Sequence, residues 1–306
     1  IPMLPEVLSN DLCSLNPNED KLTFSTIFTF DQQFNLLEEW YGRTMIHSAK
    51  RFSYEEAQAS LDQPQGEYHQ ELTVLNQLTK HLRAKREAEG SIGFETDEIK
   101  FVLDQNGKPL KVIRKERTDS HLLIEDLMLL ANRKVAEFVS KIVKDQDQHF
   151  VYRVHENPDI DHLKQLADFI QPLGYHLKID GESVAQESIN KLLKAVEGKP
   201  EEAMIHTAAM RTMAKAIYSM KNIGHYGLAF KHYAHFTSPI RRYPDIMVHR
   251  LLDYYLRGQK PSPKMLEEYH RLAEHATERE IAAQEAERDS IRYKQIEYMT
   301  ERIGQT

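Results

Sequence analysis

Gly224-His225-Tyr226-Gly227-Leu228, followed by Tyr233-Ala234-His235-Phe236-Thr237-Ser238-Pro239-Ile240-Arg241-Arg242-Tyr243-Pro244-Asp245 and then His249-Arg250, is the stretch from which the rest of the chain can be read. Ser238-Pro239 has the form of a helix start. A serine caps the end, and a proline takes the first helical position, where its missing N–H costs nothing. The segment is therefore expected to be a loop running into a helix that reaches about Leu256. The unpaired first-turn N–H groups and the positive end of the dipole favour an anion there. Arg241 falls in that first turn, where a guanidinium can clamp a phosphate with two hydrogen bonds. Tyr226, Tyr233, Phe236 and Tyr243 interleave with the basic groups and could stack on bases. The same residues also describe a capped helix with solvated arginines and core aromatics, and the pattern leaves both readings open.

The surroundings narrow the choice. The chain has 306 residues, 41% hydrophobic and 28% charged, enough for a real core in one large domain. It has no apolar run of the 18 residues that a spanning helix needs. Its one cysteine, Cys13, excludes an internal disulfide and a cysteine-based zinc site, and fits a reduced, cytoplasmic setting. The net charge of −7 argues mildly against a nucleic-acid partner. That charge is uneven: Lys221 to Lys260 holds seven Lys or Arg against Asp245 and Asp253, with four histidines besides. A basic patch on an acidic body suits a narrow channel for a single strand, although ordinary charge fluctuation gives the same count.

Hydrophobic periodicity supplies the elements. Leu22, Phe24, Phe28 and Phe30 share one face of a strand, and Trp40 to His47 is expected to return antiparallel. Ser53 and Glu56 form a capping box at a helix start. A second helix is expected from about Tyr68 to Glu89, stopped by Gly90. A hairpin follows, Ile92–Leu103 and Leu110–Arg114 around Asn106-Gly107. Then come a helix from Asp119 or Ser120 to about Val143, a short strand Phe150–His155, and a helix opened by Pro158 and ended by Gly174. Ser183–Val196 and Glu201–Met220 read as helices. Ser262-Pro263 starts another, which a Thr277/Glu280 capping box divides in two. The fold class is α+β, with antiparallel β-structure early and helices dominating the second half. Asp159 and Asp161, which look like a metal pair, sit at a helix start where acids favour the dipole. Asp145 and Asp147 are expected to be plain loop acids, and His225, His235 and His249 to be phosphate contacts or packing.

The segment resembles the conserved block of the catalytic (RNB) domain of the ribonuclease II/R family. Met3-Leu4-Pro5-Glu6 with Leu12-Cys13-Ser14-Leu15-Asn16-Pro17, Ile124-Glu125-Asp126 with Ala131-Asn132, Val151-Tyr152-Arg153-Val154-His155-Glu156, Arg211-Thr212-Met213 and Ala286-Glu287-Arg288-Asp289 resemble other parts of that domain. His235-Phe236 and Arg242-Tyr243-Pro244 bring the chain closer to the ribonuclease R branch. The resemblance implies a processive 3′→5′ exoribonuclease acting on single-stranded RNA and releasing nucleoside 5′-monophosphates with the help of Mg²⁺. It implies that Arg241 is the catalytic arginine, that Phe94 stacks on the terminal base, and that Glu125 and Glu287 hold the RNA end through ribose hydroxyls. Tyr233, Thr237, Ser238, Arg242 and His225 complete the implied RNA contacts. A core aromatic at Phe94 and solvated faces at both glutamates are the alternatives.

One departure is large. The family's aspartate cluster, D-x-x-x-x-x-D-x-D-D, has no counterpart in this sequence, so no metal ligand is expected within it. With Ile1 in place of Met, the chain is expected to be the C-terminal part of an RNB domain. The cluster, the cold-shock domains and an OB-type domain would then lie elsewhere, and the chain alone is expected to be inactive. An inactive RNA-binding or regulatory homologue is the competing function, and a structural helical protein is a third.

Overall fold

In the computed structural model, residues 2–93, 99–114, 116–144, 146–179, 186–300 and 302–304 are described. The chain is α+β, with three two-stranded antiparallel sheets among the described residues and helices dominating the second half. Strands β1 (Asp20–Phe30) and β2 (Leu36–His47) form the long hairpin, with Leu22 opposite Met45 and Thr26 opposite Tyr41. Alternation sends Phe24, Phe28 and Tyr41 inward. Leu22 belongs to the same face but is 87% exposed, because it lies beyond Phe24, where contact with the core begins.

Helix α1 (Tyr54–Asp62) starts at the expected capping box, with Ser53 and Glu56 bonded reciprocally. Helix α2 (His69–Ala88) ends just before Gly90, whose φ of +103° a side chain would resist. It packs on α3 (Asp119–Val143) around Asp126, a buried carboxylate held by Arg83 and Arg86. The hairpin of β3 (Ile99–Leu103) and β4 (Pro109–Arg114) is shorter than expected, since Ser91–Gly93 are not strand. Strand β5 is Tyr152–Val154. Helices α4 (Ile160–Ile170), α5 (Gln186–Val196) and α6 (Glu202–Thr212) form a separate lobe around Leu163, Ile170, Ile189 and Ile205. Asp159 caps α4 by accepting from the Asp161 N–H at 2.8 Å, so this pair is a helix cap. Among the described residues no helix is long and apolar enough to cross a membrane.

Three expected helices differ from the structure, two of them for a nonlocal reason. The helix of Glu201–Met220 stops at Thr212, and Ile217–Ser219 is strand β6, paired with β5. A helix through Met220 would leave the backbone of β5 without this partner. Helix α7 runs Tyr243–Leu256 and does not begin at Pro239. Pro244 has no N–H to give to the Ile240 carbonyl, and its ring would press on it, so the helix cannot form until Pro244 lies in the first turn. Helix α8 is continuous over Pro263–Thr300, with Ser262 capping its start as expected. The residues of the supposed second capping box serve lateral contacts. Thr277 Oγ1 donates to the Ala273 carbonyl at 3.1 Å and accepts the Tyr218 N–H at 2.9 Å, and Glu280 pairs with Arg153. The main core lies where α3, α7, α8, β5 and the loop of Tyr233–Phe236 meet.

Replacing Thr277 by Val removes the acceptor for the Tyr218 N–H. The expected loss is about 1–3 kcal/mol of stability by denaturant titration with helix content unchanged by circular dichroism. A drop in helicity would restore the divided-helix reading.

Candidate nucleic-acid interface

The loop before α7 takes its shape from two buried side chains. Asn132, in the middle of α3, accepts the N–H groups of Phe236 at 2.8 Å and Thr237 at 3.2 Å on one oxygen. Its amide donates to the Tyr233 hydroxyl at 3.2 Å. Asp245, in the first turn of α7 and fully buried, accepts the next N–H, that of Ser238, at 2.7 Å. His249, one turn further along α7, donates from Nε2 to the Phe236 carbonyl at 2.7 Å. Phe236 is thus fixed at its N–H, its C=O and its ring, which contacts Phe24 and His249. Three consecutive N–H groups are consumed, and Pro239 has none. The backbone amides of 236–238 are therefore not open to an anion, and this part of the loop offers side chains.

The tandem arginines diverge. The Ser238 carbonyl accepts the N–H groups of Arg241 at 3.3 Å and Arg242 at 3.0 Å, closing a turn. Arg241 is exposed and has no carboxylate partner among the described residues. Arg242 folds inward onto Asp245 at 2.8 Å, its side chain 19% exposed. Thr237 Oγ1, Arg242 Nε and Asp245 Oδ2 are buried without a hydrogen-bond partner. Ser238 is half-buried at the turn. Tyr233 is buried, so a base cannot reach its ring in this structure, and its hydroxyl supports Asn132 instead. Tyr226 is half-buried and Tyr243 exposed.

A set of neutral imidazoles packs behind the loop. His155 donates from Nε2 to the Ala214 carbonyl at 2.7 Å and accepts the Gly227 N–H on Nδ1 at 2.9 Å, which fixes its tautomer. A Cβ on Gly227 would meet that nitrogen at 3.0 Å, so the close approach needs glycine. His225 lies 5.1 Å from His155 and 5.4 Å from Tyr233 between ring centres. His235 hydrogen-bonds the Tyr218 hydroxyl at 2.8 Å, and Arg153 covers the Tyr218 ring at 4.5 Å while pairing with Glu280. Burial holds these rings neutral. It pushes His225 down to about 3 and His235 down to about 2, with nearby guanidiniums adding to it, and also lowers His155 and His249.

In the unfolded chain these histidines titrate near ~6.5, so below that pH the unfolded state binds protons that the folded state refuses. Stability is therefore expected to be flat above about pH 7 and to fall below about pH 6.5, by at most about 1.4 kcal/mol per pH unit for each histidine. The loss should continue toward the folded values near 3 and 2. Urea midpoints measured from pH 7.5 to 5 check this; a constant midpoint would contradict it.

The other expected contacts are distributed. Glu125 lies on α3, seven residues before Asn132 and so on the same face about 10.5 Å along the axis. It pairs with Arg117. Glu287 is exposed on α8, two turns beyond Glu280 on the face that meets Arg153. Phe94 lies outside the described residues. Among the described residues no group of three His, Cys, Asp or Glu could hold a metal ion, so these residues do not fit a divalent metal and no metal-dependent step is assigned to them. The motif reading gave no role to Asn132, Asp245 or the Arg153–Glu280 pair. The available signals were an asparagine inside the apolar run of α3 and an acid directly after Pro244.

Known proteins resemble the chain in sequence and in fold. Ribonuclease R of Aquifex aeolicus is 39% identical to the chain, over 99% of the chain and 43% of that protein. Ribonuclease R of Escherichia coli is 34% identical, over 99% of the chain and 39% of that protein. The structure of Mycoplasma genitalium RNase R in complex with ribose methylated single-stranded RNA matches with a TM-score of 0.90 at 28% identity, covering 99% of this chain and 48% of that one. The chain thus spans about two fifths of the length of these ribonuclease R relatives. The RNB domain family matches residues 1–258, and the chain belongs to that family.

Proposed function

We propose that residues 1–306 are part of the RNB catalytic domain of a 3′→5′ exoribonuclease that hydrolyses single-stranded RNA to nucleoside 5′-monophosphates. The observation that carries this is the exposed Arg241, presented by a turn whose backbone is locked from beneath, in a chain related over its whole length to ribonuclease R. A guanidinium so placed offsets the charge that grows on the scissile phosphate in the transition state. The RNA bound to the similar Mycoplasma genitalium structure supports RNA as the partner. Glu125 and Glu287 are proposed to accept hydrogen bonds from ribose hydroxyls, which favours RNA over DNA. Phe94 is proposed to stack on the terminal base. Arg242, Tyr233, Thr237, Ser238 and His225 act on the strand through the shape they give the loop. The metal proposed is Mg²⁺, held by residues outside this chain.

The test uses the full-length protein with Mg²⁺ and single-stranded RNA labelled at its 3′ end. A labelled nucleoside 5′-monophosphate is expected as the first product, and Arg241→Ala is expected to lower kcat by about 10²–10³-fold. Absence of mononucleotide, or an Arg241→Ala enzyme as fast as the parent, would contradict the proposal.

A further inference from the structure

We propose that Asp245 is a positioning residue for Arg241: by holding Ser238 and Arg242 on one carboxylate oxygen, it fixes both ends of the turn and leaves only Arg241 facing the substrate. This rests on the exoribonuclease function proposed above.

The geometry is compact. Asp245 Oδ1 takes the Ser238 N–H at 2.7 Å and Arg242 Nη2 at 2.8 Å. The Ser238 carbonyl takes the N–H groups of Arg241 and Arg242. The backbone from 238 to 242 is therefore closed on itself, anchored to the buried carboxylate directly at the Ser238 N–H and, at 242, through the Arg242 guanidinium. Two adjacent guanidiniums repel each other and compete for the same phosphate, yet only one is free. Arg242 is turned into the protein and neutralised by Asp245, and Arg241 is left exposed. A flexible arginine pair would lose orientation on each encounter; a tethered turn has that freedom removed beforehand, which is how positioning raises a rate.

Stability alone does not explain the arrangement. Asp245 Oδ2, Arg242 Nε and Thr237 Oγ1 are buried without partners, three unsatisfied atoms within nine residues. Each costs folding free energy. A fold selected only for stability would replace such a pair with apolar side chains. Unsatisfied buried groups concentrated on one loop are the pattern expected where function sets the sequence.

The experiment measures single-turnover and steady-state rates of the full-length protein on single-stranded RNA with Mg²⁺, alongside thermal midpoints. Asp245→Asn keeps an acceptor for Ser238 and removes the charge that holds Arg242. It is expected to lower kcat by about a hundredfold, with KM changed by less than about threefold. In the Arg241→Ala background the same substitution should lower kcat no further, because its effect runs through Arg241. Arg242→Gln, which releases the tether from the other side, should show the same non-additivity and serves if Asp245→Asn folds poorly. Factors that multiply in the double variants, or a kcat indifferent to both substitutions, would overturn the inference while leaving the functional proposal standing. A rate indifferent to Arg241→Ala would overturn both.

Discussion

The carboxamide of Asn132 decides where the loop before α7 can go. It sits midway along α3, a helix of the main core, and it answers two consecutive N–H groups and a tyrosine hydroxyl at once. An amide side chain in an apolar interior is stable only when such partners are met. Once Phe236 and Thr237 are bound to α3, little freedom remains for the residues after them. Asp245 and His249 then close the same loop from α7, one through Ser238 and the other through the Phe236 carbonyl. The arginine at the tip is thus referenced to two core helices.

This explains how an acidic chain can present a local cationic site. The basic residues between Lys221 and Lys260 are not an undifferentiated patch. Arg242 is neutralised inside, Arg257 pairs with Asp253, and Arg241 is left outward. The neutral histidines beneath add no competing charge, because burial keeps His225 and His235 from protonating. One oriented positive group on a rigid base suits a single phosphate better than a broad basic face does.

What could be read from the sequence divides along a physical line. The capping box of Ser53 and Glu56, the Gly90 stop and the Ser262-Pro263 start depend on residues within a few positions of one another, and each was legible. Strand β6 was not, because its partner Arg153 lies 65 positions before Tyr218 and no local pattern announces it. Thr277 and Glu280 matched a capping pattern whose side chains are spent on Tyr218 and Arg153. The signature put Arg241 in the first turn of a helix, but the structure puts it on the loop before α7, since the constraint at Pro244 outweighs the attractive Ser238-Pro239 signal. Asn132 reaches its amides across 104 positions, so its role needed the fold. The family resemblance reached further than the physics of the residues, which by themselves left an anion site and a capped helix equally open.

The central claim is that this loop presents Arg241 to the scissile phosphate while Arg242 stays tethered. A crystal structure of the full-length protein with a non-hydrolysable single-stranded RNA tests it most directly. The predicted result places the Arg241 guanidinium about 3 Å from the oxygens of the last phosphodiester, with Arg242 still on Asp245. An RNA end bound away from this turn, or Arg242 swung out to take the phosphate in place of Arg241, would contradict the account.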